Sequence, residues 1–221
     1  MKLTELYRPK LGKNIVGAAK EYYANRNSPD ALTFISNNEW LDEKLYTLGW
    51  EKLSEGAYSF VYENDKKNYI LKVNFKQDLG YDQFVKLIHR RRNKHFPRIS
   101  DKQQLSFASY NYNIYLIEKL IKIPEPYCQY YSSIISAIMR LYHEEMNPSL
   151  KMVLDYLQKN YFTKREFQKG KQFILSNPDL VKAAAILGTA QKYHKLYNDL
   201  HAKNIMKRDD GTIVIIDPYV G

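Results

Sequence analysis

Lys72 stands in the middle of an apolar run, Tyr69-Ile70-Leu71-Lys72-Val73. Few features restrict a fold more than a cation set inside a strand. A buried ammonium needs a partner, because stripping its water is costly; a nucleotide phosphate would be one. The plainer alternative is a lysine that snorkels to the surface along its stem. The run belongs to a wider β-rich stretch: "WEKLSEGAYSFVYEND" (50–65) and "KKNYILKVNF" (66–75) are joined by Asn64-Asp65-Lys66-Lys67, as in a hairpin. The first run is long enough to fold back near Gly56, which predicts three strands in all.

After these strands, "YDQFVKLIHRRRNKH" (81–95) places Phe84, Leu87 and Ile88 at helical spacing. Two further strands, "QLSFASY" (104–110) and "NIYLIEKL" (113–120), are expected around a turn at Tyr110-Asn111-Tyr112. Beyond Pro124 and Pro126 the pattern predicts helices over 127–145, 149–160, 164–175 and 179–196, the last opened by Asn177-Pro178-Asp179. A terminal hairpin of "NIMKR" (204–208) and "TIVIID" (212–217) turns at Asp209-Asp210-Gly211. Residues 1–46 read as polar and helical, with Leu11, Ile15, Ala18, Ala19 and Tyr22 on one face and a break at Pro29. The expected class is α+β, a five-stranded segment with one helix followed by a helical segment.

The end of the chain, "YNDLHAKNIMKRDDGTIVIIDPYVG" (197–221), gathers Asp199, Asn204 and Asp217 around a short hairpin. Alone, an Asp and an Asn five residues apart are turn residues that chance supplies readily. Here a helix precedes them and a β-run delivers Asp217, so two carboxylates and an amide oxygen can meet at one end of the hairpin. Hard oxygen ligands of that kind suit Mg²⁺, which is held by one or two carboxylates plus substrate phosphates.

Taken in order, these residues resemble the protein-kinase-like superfamily, from about Leu48 to the end. "LSEGAYSFV" resembles the glycine-rich loop, with Leu53, Gly56, Tyr58 and Val61 at the family positions and Ser54 and Ser59 where the first and third glycines stand. The resemblance implies that Ser54, Gly56, Tyr58 and Val61 cover ATP and that Lys72 pairs the α- and β-phosphates. The segment "LIEKL" (116–120) resembles the hinge, whose backbone from Glu118 to Leu120 would hydrogen-bond adenine. "YNDLHAKN" is similar to the catalytic loop, with Asp199 as the base for the acceptor hydroxyl and Asn204 as a metal ligand. Ile216-Asp217-Pro218 takes the place of D-F-G, with Asp217 as the principal Mg²⁺ ligand; Mn²⁺ is an alternative ion. The helix that should supply a glutamate for Lys72 has none over 76–96, and Asp82 rather than Asp78 is the expected substitute.

His201 stands two residues after the base, where eukaryotic-type protein kinases carry lysine, either as a catalytic group or as a side chain that fixes the loop. It links the loop both to aminoglycoside-type phosphotransferases and to the early host-takeover kinases of podophages. The latter are the closer resemblance, through the sparse glycine loop, K-V-x-F, D-x-H-x-x-N-I-M and I-x-D-P. The resemblance therefore implies a bilobal kinase-like fold: an extension over 1–47, an N-lobe over 48–120, and a reduced C-lobe over 121–221 without an activation segment or lower helices. It implies an ATP- and Mg²⁺-dependent serine/threonine protein kinase acting on host proteins. The alternatives are a small-molecule kinase of the antibiotic type and a non-catalytic pseudokinase or basic binding module.

Composition agrees with a folded domain rather than a disordered chain: 44% hydrophobic and 26% charged residues. Thirty-four Lys and Arg against 24 Asp and Glu give a net charge of +10, which attracts polyanions and disfavours a polycationic small substrate. "HRRRNKH", His89 to His95 with Arg90, Arg91, Arg92 and Lys94, forms the densest basic run. Its charges are expected as a solvated helix end, or more sharply as a docking face for an acidic protein or nucleic acid. A single Cys128 excludes an intramolecular disulfide and is read as a packed thiol. No apolar run approaches the roughly 20 residues a bilayer span requires, so a cytoplasmic protein without membrane contact is expected.

Overall fold

The computed structural model describes residues 39–75, 78–100, 102–107, 110–145, 148–160 and 164–220. The helical face expected over Leu11–Tyr22 and the break at Pro29 lie outside the described residues. The fold is α+β, with a five-stranded antiparallel sheet followed by a mainly helical region. Two compact units divide it: one holds the described residues before Asp78 together with Arg98–Lys119, the other Asp78–Pro97 and Leu120 onward.

In the first unit, helix α1 (Glu39–Thr47) precedes strands β1 (Glu51–Glu55), β2 (Ser59–Glu63), β3 (Tyr69–Asn74), β4 (Gln103–Phe107) and β5 (Tyr110–Glu118). Their order across the sheet is β1-β2-β3-β5-β4. Side chains alternate between the two faces of a strand, and one face is apolar throughout. Phe60 and Tyr62 of β2, Leu71 and Val73 of β3, and Tyr112, Ile114 and Leu116 of β5 form a core with Trp50 and with Leu41 and Leu45 of α1. Lys72, between two core residues, must therefore face the other way. It lies opposite Val61 on one side and Tyr115 on the other, and it is only 6% exposed.

Asp42 fastens α1 to the sheet. The Tyr62 hydroxyl donates to its Oδ1 at 2.6 Å and the Lys52 ammonium meets its Oδ2 at 3.0 Å. Lys52 also pairs with Glu55 at 3.0 Å and sits 4.1 Å from the centre of the Phe60 ring. Burial pushes the Tyr62 phenol well above its usual range, and the Asp42 carboxylate adds to the effect.

Phe107 of β4 pairs with Tyr110, the first residue of β5. The turn expected at Tyr110-Asn111-Tyr112 is thus corrected: those residues already belong to β5, because Tyr112 is needed in the core. In the second unit, α2 (Leu79–Arg90) starts where Asp78 Oδ1 accepts the Tyr81 N–H at 2.9 Å. It ends after Arg90, and the helical spacing expected to run to His95 stops there. Asn93 breaks it, donating to Asp179 O at 2.9 Å and accepting the His95 N–H at 2.8 Å, a local alternative to helix hydrogen bonding.

Helices α3 (Tyr127–Glu144), α4 (Leu150–Asn160), α5 (Lys164–Ser176) and α6 (Pro178–His194) match the periodic segments closely. The main helix pair is α3 with α6, and Gly188 is what lets them close. A methyl group there would fall on the backbone of Met139 in α3. A third of the small strands, β6 (Ile121–Lys122), flanks the terminal hairpin of β8 (Ile205–Lys207) and β9 (Ile213–Ile215) in the order β6-β8-β9. Gly211 turns that hairpin with a φ of +82°, a conformation that glycine adopts without strain. Strand β10 (Tyr219–Val220) pairs with β7 (Tyr197–Asn198).

His95 shows the cost of a misread polar run. Instead of joining a solvated basic face it is 2% exposed, with Nδ1 2.7 Å from Ile213 O and its own carbonyl accepting from Ile215 N at 2.9 Å. Burial lowers its pKa, against the hydrogen bond to Ile213 O; nearby Lys94 and Arg208 lower it further and Asp179 raises it. Among the described residues no helix is long and apolar enough to cross a membrane.

Two outcomes follow from this packing. Gly188→Ala would stabilise an exposed helix by up to about 1 kcal/mol. Here the collision with Met139 is expected to reverse the sign and cost about 1–3 kcal/mol, read as a lower urea midpoint at unchanged m. His95, with its folded pKa below the unfolded value of about 6.5, keeps its full contribution above that pH and loses it as the pH falls. Stability between pH 7 and 5 is expected to decline less steeply in His95→Gln than in wild type, as measured by urea unfolding at each pH.

Candidate functional site

The loop from Tyr197 to Asn204 is built by short-range hydrogen bonds that its sequence supplies. Asn198 Oδ1 accepts the Leu200 N–H at 2.8 Å, bending the chain directly after Asp199. Leu200 O accepts from Ser136 Oγ of α3 at 3.3 Å, tying the bend to the helix beneath. His201 then caps a single 3₁₀ turn, Ala202–Asn204, its Nδ1 accepting the Lys203 N–H at 3.2 Å. That bond fixes the neutral ring with its proton on Nε2. Nε2 lies 3.4 Å from Asn204 Nδ2, and since both atoms are donors the contact is steric rather than a hydrogen bond. The observed contacts of His201 are those of a side chain that fixes the loop.

Asn204 is the point where the segments meet. Its Nδ2 donates to Asp199 O at 3.0 Å and to Asp217 O at 2.6 Å. A flipped amide would set Oδ1 against two carbonyl oxygens, so the orientation is unambiguous. Both amide protons are then taken, and Oδ1 is the lone-pair oxygen left to the side chain. The backbone of Asn204 repeats the connection: its N–H donates to His201 O at 2.9 Å and its carbonyl accepts from Ile216 N at 3.0 Å. Asp199 N donates to Pro218 O at 3.0 Å, just before β7 pairs with β10. Asp199, His201, Asn204 and Asp217 are therefore brought together within one unit, thirteen residues separating the last two in sequence.

Asp199 is exposed, whereas Asn204 is 9% exposed and Asp217 is half-buried with Oδ1 withdrawn from solvent. An exposed carboxylate thus adjoins two side-chain oxygens held more deeply. Among the described residues no three His, Cys, Asp or Glu side chains gather as a metal cage. The donor set that is present, one carboxylate and one amide oxygen, fits a hard cation that completes its shell with phosphate oxygens and water. Mg²⁺ binds in that manner.

The residues expected to hold nucleotide fall in the first unit, apart from Asp82 and Leu120. Gly56, with exposed Ser54 before it and half-buried Tyr58 after it, makes the tip between β1 and β2. The Gly56 N–H donates to Ser59 O at 2.8 Å, and Tyr58 O accepts from Phe75 N at 3.0 Å. A methyl group on Gly56 would meet only Ser59, at 3.8 Å or more, and its φ does not demand glycine. Among the described residues neither packing nor turn geometry explains this glycine, unlike Gly188. Register shifts between Lys52 and Ser54, which leaves Leu53 exposed on the same hairpin.

Of the expected hinge donors, the N–H groups of Glu118 and Lys119 are already used, by Arg98 O and Asn68 O, both at 3.0 Å. The Glu118 side chain accepts the Arg98 N–H at 2.8 Å, so its role is not confined to its backbone. Half-buried Leu120 begins the second unit. Asp82, 9% exposed, sits in the first turn of α2, where a carboxylate also complements the helix dipole. Arg90, Arg91 and Arg92 are exposed around the end of α2, and Lys94 pairs with Asp179 at 3.4 Å. Buried Cys128 stays a packed thiol, its pKa raised by burial.

Sequence reasoning assigned no role to Asn198, Ser136 or Tyr219. Asn198 carried a signal, an Asx residue two positions before the residue it bonds. The other two act across long sequence separations. No protein-family model matches the chain, and no curated protein matches it either.

Asn204→Asp separates the amide's two duties. The variant keeps an oxygen ligand but loses both donors and turns a carboxylate toward two carbonyls. It is expected to lose about 1–3 kcal/mol of stability in urea unfolding without metal; wild-type stability would reduce Asn204 to a ligand alone.

Proposed function

We propose that the protein is an ATP- and Mg²⁺-dependent phosphotransferase whose acceptors are serine and threonine hydroxyls of proteins. The observation that carries this reading is the Asn204 amide, which joins the backbones of Asp199 and Asp217 while its oxygen stays available. Such an arrangement serves a reaction that needs a base and a cation ligand at fixed spacing. Gly56 supports it, since the close approach of a triphosphate would give that glycine a reason, and Lys72, 6% exposed on β3, places a cation in the same sheet.

In the proposed reaction Asp199 orients the acceptor hydroxyl and takes its proton. The hydroxyl oxygen forms a bond to the γ-phosphorus as the bond to the β-phosphate oxygen breaks, and ADP leaves. Lys72 pairs the α- and β-phosphates, and Ser54, Gly56, Tyr58 and Val61 cover the nucleotide. Asn204 and Asp217 would hold Mg²⁺, or Mn²⁺ in its place, which supplies neutralisation of the triphosphate charge. The kinase-like fold itself belongs to this proposal. Exposure of Asp199, with Tyr193 and Tyr197 also exposed just before it, favours an acceptor presented on a polypeptide over one enclosed in a pocket.

Labelled ATP, Mg²⁺ and a host-cell lysate provide the test. Wild type is expected to label proteins, Asp199→Ala to be slower by roughly 10²–10⁴, and Asp217→Ala to fall at least as far. Equal labelling by wild type and Asp217→Ala would overturn the proposal. Release of ADP that depends on small alcohols, with no protein labelled, would move the acceptor to the small-molecule class.

A further inference from the structure

The geometry points to Tyr219 as the positioning residue for Asp217, an inference that rests on reading Asp217 as a cation ligand. Tyr219 is 2% exposed, and its hydroxyl donates to Leu187 O of α6 at 2.6 Å. Its ring meets Phe84 of α2 edge-on, centroids 6.4 Å apart at 82°.

Pro218 explains why such an anchor is needed. It lies between Asp217 and Tyr219 and has no N–H. On the near side Ile216 N donates to Asn204 O, while the carbonyls of Asp217 and Pro218 accept from Asn204 Nδ2 and Asp199 N. These contacts hold the carbonyl oxygens of Asp217 and Pro218, and Pro218 itself offers no N–H. At Tyr219 β10 pairs with β7, and the tyrosine side chain reaches out of the segment to bond α6.

The anchor point is well chosen. Leu187 precedes Gly188, where α6 lies so close to Met139 of α3 that no Cβ fits. A carbonyl at that crossing moves little, because close-packed interiors resist displacement. Packing against Phe84 would require only phenylalanine; the hydroxyl adds direction. Tyr219 thus sets the angle at which the Asp217 carboxylate is presented, and it ties that carboxylate to α2 and α6 without any modification of the chain.

The test compares full-length wild type with Tyr219→Phe. Mn²⁺ binding is followed by electron paramagnetic resonance at saturating non-hydrolysable ATP analogue, beside metal-free thermal unfolding and Mg²⁺ dependence of turnover. Tyr219→Phe is expected to weaken Mn²⁺ binding about fivefold, the size of one neutral hydrogen bond. Half-saturating Mg²⁺ for turnover is expected to rise similarly, with kcat restored at high Mg²⁺ and the acceptor KM unchanged. Phe84→Leu, which keeps the hydroxyl, is expected to shift Mn²⁺ affinity in the same direction by about twofold. A lower melting temperature in Tyr219→Phe with Mn²⁺ affinity equal to wild type would make the residue merely structural and overturn the inference. Wild type that binds no Mn²⁺ with the analogue would instead overturn the cation-ligand reading of Asp217, and the inference with it.

Discussion

Everything in the candidate site hangs on two protons of one amide. Asn204 donates to the carbonyls of Asp199 and Asp217, residues on two different segments. Backbone bonds from Ile216 to Asn204 and from Asp199 to Pro218 close the same ring. A neutral hydrogen bond contributes only about 0.5–1.5 kcal/mol net, but several that share one rigid group constrain direction far more than their sum suggests. The clamp also decides which atom of Asn204 remains for chemistry, since an amide that spends both protons can offer only its oxygen.

Around the clamp the helical unit is organised to keep it still. Ser136 of α3 holds the bend after Asp199. Tyr219 ties the far side to α6 beside the close crossing at Gly188. His95 and Arg208 fasten the segment after α2 to the terminal hairpin, with Arg208 donating to Lys94 O and Phe96 O. The first unit shows the same economy: α1 covers the apolar face of the sheet and Asp42 locks it there. Lys72 lies on the opposite face of β3 from that core and is itself buried.

Gly56 and Gly188 illustrate how the same residue type carries different information. Gly188 is dictated by the protein, for a methyl there would strike the Met139 backbone. Among the described residues nothing dictates Gly56, for a methyl there would fit. A glycine that the fold does not need is one that a ligand's close approach can account for, and that supports a phosphate-covering role for its hairpin.

The sequence by itself determined the five sheet strands, the terminal hairpin and the four C-terminal helices, because period 2 and period 3.6 are properties of local backbone geometry; it missed the short strands β6, β7 and β10. It also determined that Asp199, Asn204 and Asp217 would lie near one another, since a tight hairpin at Gly211 leaves little choice. It misplaced the β4–β5 turn and overran α2, since Tyr112 answers to the core and Asn93 to Asp179, partners remote in sequence. His95 looked like one charge in a basic run, and only the Ile213 carbonyl, more than a hundred residues away, makes it a buried neutral ring. Tertiary structure alone decided which way the Asn204 amide points and what Tyr219 holds, because a hydrogen bond's direction depends on atoms that only the folded chain brings within 3 Å.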